Sequence, residues 1–300
     1  MKALQRNSRI NVSYIESGTS FECRKLSGKF DAILLYENAN TGDTCVPDEL
    51  IGINTLNIPV ISKIGDPHRA KEFDVEKFHK KFKIDAYFCN LTKDFVQKYY
   101  PKNYKFKQIL FGLESSLFQN LAPFKNRIKN KILNSGATAS TKITNQIFCK
   151  LFRGENDPMK HYKLRTKCNE LPYVVHSSNL SKQYFGNDYP KLLEQYSASI
   201  AAASLNPVMK FLEIPAAGCL AFMEITKKNQ GESLGFKDGE NAIFINEKNY
   251  KSRFESYLED IDNPKWEKIA NSGRNYVMNN LTNDHAVDSL VNYMEEIIQK

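Results

Sequence analysis

The sequence predicts an α/β protein of two doubly wound domains with a helical C-terminal tail, and three observations support this prediction. Short apolar segments typical of strands alternate with segments typical of helices, as in parallel sheets covered on both faces. The alternation begins again after a basic run at residues 125–131. From residue 249 onward the pattern is helical. We therefore expect two domains, residues 1–118 and 119–300, joined near residues 112–130.

Strands and helices are predicted in the following order. In the first domain, strands are expected at 10–15, 31–36, 59–65, 85–89 and 107–111, and helices at 46–54, 74–82 and 92–99. In the second domain, strands are expected at 131–135, 173–176, 199–204, 219–225 and 242–245, with a helix near 140–152 and a further element at 189–196. Helices at 249–259, 265–280 and 283–300 form the tail.

The composition is that of a globular protein. The chain has 300 residues, of which 41% are apolar and 25% are charged. No apolar run approaches the ~20 residues that a membrane span requires, and no secretory signal is visible at the N-terminus. The six cysteines form no Cys-x-x-Cys pair. We therefore expect a cytoplasmic protein with free thiols.

The net charge of +8 predicts an anionic partner. Nucleic acid, the anionic face of a membrane and a phosphorylated small molecule would all suit this charge. No nucleic-acid-binding motif accompanies the basic residues, so we expect no nucleic-acid partner. Peripheral contact with the inner face of a membrane stays open.

The most informative segment runs from Asn206 to Gly218 and carries signals for both ends of a helix. Asn206 is a preferred N-cap, Pro207 suits the first helical position, and Gly218 suits the left-handed end. A strand that leads into a helix N-terminus is a common anion site in α/β proteins. We therefore expect the amides of Val208 and Met209 to meet a diphosphate.

Two side chains in this segment suit a nucleotide sugar. Glu213 falls about two turns into the predicted helix, where its carboxylate could accept hydrogen bonds from sugar hydroxyls. Lys210 lies on nearly the same face and either pairs with Glu213 or neutralises the donor diphosphate. Pro215 removes a backbone hydrogen bond, which costs ~3 kcal/mol in a regular helix interior, so we expect the helix to kink or end there.

Several segments, in a fixed order, carry a resemblance to a known family. They are Tyr189–Leu193 (YPKLL), Lys210–Leu220 (KFLEIPAAGCL), Gly235–Asn241 (GFKDGEN), Ile269–Arg274 (IANSGR) and Leu281–His285 (LTNDH), with Phe111–Phe118 (FGLESSLF) upstream. They resemble group 1 glycosyltransferases of the GT-B type, especially the spore-maturation-like branch. The resemblance implies two Rossmann-like domains, with a nucleotide-sugar donor in the cleft between them and the nucleotide mainly on the second domain. It also implies a glycan, lipid or protein acceptor and no obligatory metal or other cofactor.

Within this resemblance, Glu213 matches the second glutamate of the family's Glu-x7-Glu pattern, which is expected to hold the ribose. The first glutamate of that pattern would fall at position 205, where this chain has Leu205. Leu205 therefore leaves open a catalytically silent relative that binds a nucleotide or glycan. The basic charge leaves open a second rival, a nucleic-acid-binding protein.

The loop at residues 135–142 follows the first strand of the second domain and is rich in small residues. Such residues allow a phosphate to approach backbone amides, so Ser135 and Gly136 are candidate contacts to the nucleotide. Lys142 is a candidate to stabilise the departing phosphate, although a surface position in an ordinary turn would also explain it.

Asp66 and His68 follow a predicted strand of the first domain and are expected at the carboxyl edge of its sheet. Asp66 is a candidate base for the acceptor hydroxyl, and His68 is a candidate contact to sugar or phosphate. An ordinary Asp-Pro turn is the alternative. The histidines show no paired metal-ligand spacing, and Asp260 and Asp262 are expected in a loop, so we predict no metal site.

Overall fold

The computed structural model describes residues 2–15, 18–35, 46–67, 70, 74–154, 157–177, 184 and 186–299. The chain divides into two compact units, one formed by Met1–Phe111 with Asn283–Lys300 and the other by Gly112–Thr282. Each unit has its own parallel sheet and its own apolar core. This mixed α/β architecture with a helical C-terminal region confirms the predicted fold class.

The helices and strands follow one another in this order. Up to Phe111 they are α1 (Lys2–Arg6), β1 (Ser20–Glu22), β2 (Ile33–Leu35), β3 (Glu49–Ile51), β4 (Val60–Lys63), α2 (Val75–Lys81), β5 (Ile84–Cys89), α3 (Lys93–Val96) and β6 (Phe106–Gln108). The second unit contains β7 (Ile128–Ser135), α4 (Ile143–Phe152), α5 (Pro158–Cys168), β8 (Val174–Ser177), α6 (Tyr189–Leu193), β9 (Tyr196–Ala201), α7 (Lys210–Ala216), β10 (Leu220–Met223), β11 (Ile243–Phe244), α8 (Tyr250–Glu259) and α9 (Pro264–Asn280). The last helix is α10 (Asn283–Ile298).

Two predictions about the whole chain can be compared with these elements. Among the helices in the described ranges, none has the length and apolar character needed to cross a membrane. The cysteines whose positions are described are free, as predicted.

In the first unit, four strands form a parallel sheet in the order β2-β4-β5-β6, and β1 pairs with β3 in a separate parallel pair. Strand β5 is apolar at all positions except Asp85, β4 begins with two apolar residues, and Val60, Ile61 and Ala86 are completely buried. Such continuous apolar runs are typical of parallel strands covered on both faces.

Helix α10 packs its apolar stripe on this sheet, although the sequence analysis assigned it to the second domain. The buried residues of this cluster come from α10, β4, β5 and the residue that follows β6; they are Ile61, Ala86, Phe88, Ile109, Leu290, Tyr293 and Ile297. Arg6 of α1 pairs with Asp284 of α10 at 2.9 Å. The units therefore differ from the predicted domains in two ways. The first unit ends at Phe111 rather than at residue 118, and it also includes the C-terminal segment from Asn283 onward.

Two predicted elements of the first unit are wrong. Residues 10–15 form no strand. Residues 46–54 do not form a helix, because Glu49–Ile51 is instead strand β3, which pairs with β1. Pairing with a distant segment has overridden the local pattern, as is common for short strands.

In the second unit, five parallel strands form one sheet in the order β11-β10-β9-β7-β8. Its central strands are buried on both faces, and Ile132, Ile200 and Phe222 are fully enclosed. Phe222 packs edge-on against Phe254 of α8, with ring centroids 4.8 Å apart. Most predicted elements from residue 131 onward are present, but α5 was not predicted.

Helix α7 begins later than predicted. It starts at Lys210 with Met209 before it, and the structure gives Asn206 no capping hydrogen bond. Glu213 is consequently in the first turn rather than about two turns in. The helix ends one residue after Pro215, as expected from the lost backbone hydrogen bond. Gly218 has φ of +74°, the left-handed conformation predicted for it.

Gly273 of α9 lies close to Pro215 of α7 and to Asn241, which precedes β11. A Cβ atom at this position would lie 2.5 Å from the carbonyl oxygen of Asn241 and 3.3 Å from the Cβ atom of Pro215. The neighbouring Arg274 donates hydrogen bonds to the carbonyls of Ala216 and Phe118. The absence of a side chain at Gly273 therefore allows α9 to hold the end of α7.

Replacing Gly273 by alanine tests this close approach. Gly273→Ala should lower the free energy of unfolding by about 1–3 kcal/mol, because overpacking outweighs the ~1 kcal/mol gained in helix propensity. Urea denaturation measures the change. Ser272→Ala, at an exposed position of the same helix, is the matched control and should change stability by less than about 0.5 kcal/mol. Equal stability of the two variants would contradict the close packing.

Candidate functional site

The candidate site lies at the carboxyl edge of the sheet in the second unit. Across this sheet the strands lie in the order β8-β7-β9-β10-β11. The direction of winding therefore reverses between β7 and β9. Ligands of open α/β sheets bind at the carboxyl ends of the strands at such a reversal. Ser135 ends β7, and the segment after β9 leads into α7, whose first residue is Lys210. The structure therefore brings these two predicted site residues to one place.

Lys210 is held against the end of β7. Its Nζ donates hydrogen bonds to the carbonyl oxygen of Ser135 at 2.8 Å and to the hydroxyl oxygen of Ser135 at 3.1 Å. The Ser135 hydroxyl also bonds the hydroxyl of Tyr189 at 2.7 Å, and the Lys210 ammonium lies 5.1 Å from the centre of the Tyr189 ring. Ser135 thus positions Lys210, a role that the sequence analysis did not predict for it.

The surroundings of Lys210 disfavour its positive charge. Burial, together with the positive charge of Arg165, lowers the pKa of Lys210 to about 7, and the carboxylate of Glu213 opposes this shift. An added anion would favour the charged ammonium. The site is therefore electrostatically suited to a phosphate group.

Glu213 lies one helical turn after Lys210 and is partly buried. Within the described residues, its carboxylate has no hydrogen-bond partner. Burial raises the pKa of Glu213 to about 7, and the positive charge of Lys210 opposes the increase. A partly buried carboxylate without a donor is well suited to accept hydrogen bonds from the hydroxyls of a ligand.

The backbone before α7 offers two amides. Phe211 and Leu212 donate to the carbonyls of Val208 and Met209, so the helical turn is already formed there. The amides of Val208 and Met209 themselves have no acceptor in the part of the chain that the structure describes. They are oriented by the first turn of α7, and their predicted contact with a diphosphate stays a prediction.

The loop at residues 135–142 is less open than the sequence analysis predicted. The amide of Gly136 donates to the carbonyl of Ser177 at 3.0 Å and so extends the pairing of β7 with β8. The amide of Ala139 donates to Thr166 Oγ1 at 2.9 Å. Amides at these two positions are therefore not free for a phosphate. Lys142 directly precedes α4 and is exposed.

Arg165 of α5 is a site residue that the sequence analysis missed. Its side chain is only 3% exposed, and it donates to the carbonyl of Ala137 at 3.0 Å and that of Ala202 at 2.6 Å. Burial lowers the pKa of its guanidinium. Arg165 links the loop after β7 to the end of β9. No motif marks it, and α5 itself was not predicted.

Glu224 was also missed. It directly follows β10, and its Oε2 atom is buried without a hydrogen-bond partner. Burial and the negative charge of Glu247 raise the pKa of Glu224, and Arg165 opposes the increase. Its place immediately after a parallel strand is the signal that could have identified it, since carboxyl ends of such strands converge on the site.

The first unit contributes two candidates, Asp66 and His68, of which Asp66 lies in the described residues. Asp66 is exposed and lies three residues beyond the end of β4, near the carboxyl edge of the sheet, as predicted. His68 lies outside the described residues. The catalytic roles of Asp66 and His68 stay predictions.

Comparison with known proteins identifies the fold. HepE of Anabaena in complex with UDP is similar over 88% of this chain and 79% of HepE, with a TM-score of 0.57 and 13% identity. A glycosyltransferase from Rickettsia africae matches 82% of this chain and 73% of its own, with a TM-score of 0.53 and 13% identity. Sucrose-phosphate synthase from Thermosynechococcus elongatus matches 82% of this chain and 70% of its own, with a TM-score of 0.52 and 10% identity.

The chain has the GT-B fold. No protein-family model matches the chain, and no curated protein matches it either. At 10–13% identity the similarity establishes the GT-B fold alone. The predicted assignment to the spore-maturation-like branch, and the predicted roles of the site residues within the GT-B fold, stay predictions.

The raised pKa of Glu213 leads to a prediction about stability. Because the folded-state pKa lies above the usual 4.5, ionisation of Glu213 removes stability as the pH rises from about 4.5 to about 7. Glu213→Gln should therefore be more stable than the wild type at pH 8, by about 1–3 kcal/mol, and similar to it at pH 5. Thermal or urea denaturation at both pH values measures this difference.

Glu232→Gln is the matched control for this experiment. Glu232 lies in the same unit but is exposed, so its substitution should change stability little at either pH. A Glu213→Gln variant whose stability relative to the wild type does not depend on pH would show that the Glu213 carboxylate is not strained by burial.

Proposed function

We propose that the protein is a glycosyltransferase that transfers a sugar from a nucleotide-sugar donor to a glycan or lipid acceptor. The observation that carries the proposal is the Glu213 carboxylate, which is partly buried and unpartnered at the switch point of a GT-B sheet, one turn from Lys210. Support also comes from solved structures of similar fold, since HepE was crystallised with UDP-glucose and with UDP.

In this proposal the nucleotide binds to the second unit. Glu213 accepts hydrogen bonds from the ribose hydroxyls, and the amides of Val208 and Met209 donate to the diphosphate. Lys210 uses two of its three N–H groups on Ser135 and offers the third to a phosphate oxygen. Asn206 lies just before this turn and is a further candidate contact to the nucleotide.

The proposed reaction joins an acceptor oxygen to the anomeric carbon of the sugar while the bond from that carbon to the diphosphate breaks. The acceptor hydroxyl gives its proton to a base, for which Asp66 is the candidate, and His68 contacts the sugar or phosphate. Negative charge develops on the departing nucleoside diphosphate. Lys210, which is held in place by Ser135, and the more exposed Lys142 stabilise this charge without an obligatory metal ion.

Donor binding is the direct test of the ribose role. In isothermal titration with UDP-, GDP-, ADP- and dTDP-sugars, one nucleotide should bind the wild type measurably more tightly than the others. Glu213→Gln should weaken that binding about 10- to 100-fold, because a hydrogen bond to a charged group contributes about 1.5–3 kcal/mol. Glu232→Gln should bind like the wild type. Equal affinity of Glu213→Gln and the wild type would overturn the assignment.

A second candidate function is a catalytically silent nucleotide-binding protein, and Leu205 favours it. The family pattern has a glutamate at this position, and leucine cannot accept a hydrogen bond from the donor sugar.

Release of nucleoside diphosphate from the preferred donor separates an enzyme from a silent relative. We expect slow release in the absence of acceptor, with water taking the sugar, and we expect EDTA to leave the rate unchanged because no metal is invoked. A protein that binds the donor tightly but neither transfers nor hydrolyses it would favour the silent alternative. Loss of release with EDTA, restored by a divalent cation, would contradict metal independence.

A further inference from the structure

Helix α4 is an apolar helix that the second unit does not bury. None of its ten residues is buried. The five most exposed large apolar side chains among the described residues all lie on it, with 54–73% of each exposed; they are Ile143, Ile147, Phe148, Leu151 and Phe152. The next helix, α5, in contrast contributes Leu164 and Cys168 to the core. The apolar character of α4 is therefore not explained by packing within the unit.

These apolar side chains share one face of the helix. At about 100° per residue they fall within an arc of about 180°, which also includes Thr144, and the remaining arc carries the other polar residues and Lys150. The rings of Phe148 and Phe152 pack together with centroids 4.9 Å apart. The face is thus a continuous apolar surface rather than a set of isolated side chains.

Basic residues lie on α4 and at both of its ends. Residues 142–154 contain Lys142, Lys150 and Arg153 and no acidic residue. Lys142 and Arg153 flank the two ends of the helix, and Lys150 lies beside the apolar arc. This arrangement is complementary to a surface that is apolar inside and anionic outside.

We propose that α4 binds the surface of a bilayer that contains anionic phospholipid. Its apolar face would enter the boundary between headgroups and acyl chains, and Lys142, Lys150 and Arg153 would meet the phosphates. A second copy of the chain fits less well, because pairing two α4 faces would bring like charges together. This inference goes beyond glycosyl transfer and does not depend on it.

Bilayer binding would also bring the candidate site close to the bilayer surface. Residues 136–142 connect Ser135, at the carboxyl end of β7, directly to α4. A bound α4 therefore holds this loop, and with it the carboxyl edge of the second sheet, near the bilayer surface. An acceptor carried by a lipid would meet the site there.

Vesicle sedimentation with the full chain tests the proposal. The wild type should sediment with phosphatidylcholine vesicles that contain about one third phosphatidylglycerol, much less with pure phosphatidylcholine, and less as salt increases. The double variant Leu151→Ser/Phe152→Ser should bind roughly 30-fold more weakly. The double variant Lys150→Glu/Arg153→Glu should bind at least about 30-fold more weakly. All four side chains are outside the core, so melting temperatures should be unchanged.

Two controls make the result specific to α4. Ile51→Ser/Ile298→Ser removes two exposed apolar side chains of the first unit and should leave binding unchanged. Phe152→Trp adds a reporter to a chain whose one tryptophan, Trp266, is buried, and its emission should shift to the blue when anionic vesicles are added.

Several results would overturn the proposal. They are no sedimentation of the wild type with anionic vesicles, equal binding to neutral vesicles, or full binding by either α4 double variant. A wild-type dimer that becomes a monomer in Leu151→Ser/Phe152→Ser, without vesicle binding, would identify α4 as an interface between copies instead. Because none of these assays requires a nucleotide sugar, their failure is distinguishable from failure of the proposed transferase function.

Discussion

The contact between Lys210 and the end of β7 determines the position of the candidate site. The ammonium group of this first residue of α7 donates to the carbonyl and the hydroxyl of Ser135, and that hydroxyl bonds Tyr189 at the start of α6. Three segments far apart in sequence are thereby joined at one point of the sheet edge. Loss of these acceptors would leave a partly buried cation unsatisfied, which costs more than the hydrogen bonds contribute. The first turn of α7, which carries Glu213, is therefore held in place.

The choice of partners at this point argues against a purely structural role. A lysine that only stabilised the fold would be expected to neutralise the nearest carboxylate, because a buried charge is costly unless it is paired. Lys210 instead uses neutral acceptors, and Glu213, one turn away, has no donor within the described residues. Burial moves the pKa of each group towards 7, from opposite directions. Such shifts are typical of functional sites, and the apolar residues buried on α7, such as Phe211, offset their cost.

Periodicity in the sequence was sufficient to predict most of the second unit and the central strands of the first, because the apolar runs of these elements are visible as local patterns. It was insufficient where a distant contact decides the structure. The signals at Asn206 and Pro207 predicted a helix start, but α7 begins where Lys210 meets Ser135. The apolar stripe of α10 was predicted, whereas the sheet that it covers could not be, since a stripe does not specify its partner. A motif marked Glu213 as a candidate, and its role stays a prediction. No motif marks Arg165, because its contacts depend on distant chain segments.

Helices α4 and α5 show why apolar content is a poor guide to burial in this chain. Helix α5 is mostly polar in sequence and is kinked at Tyr162. It nevertheless supplies Leu164 to the core and Arg165 to the site. The sequence of α4 is mostly apolar and supplies nothing to either. Exposure of so many large apolar side chains on one helix is unfavourable in water, and the bilayer binding proposed above would remove this cost. Because α4 is joined to Ser135 by seven residues, 136–142, whatever binds α4 also limits the freedom of the loop beside Lys210.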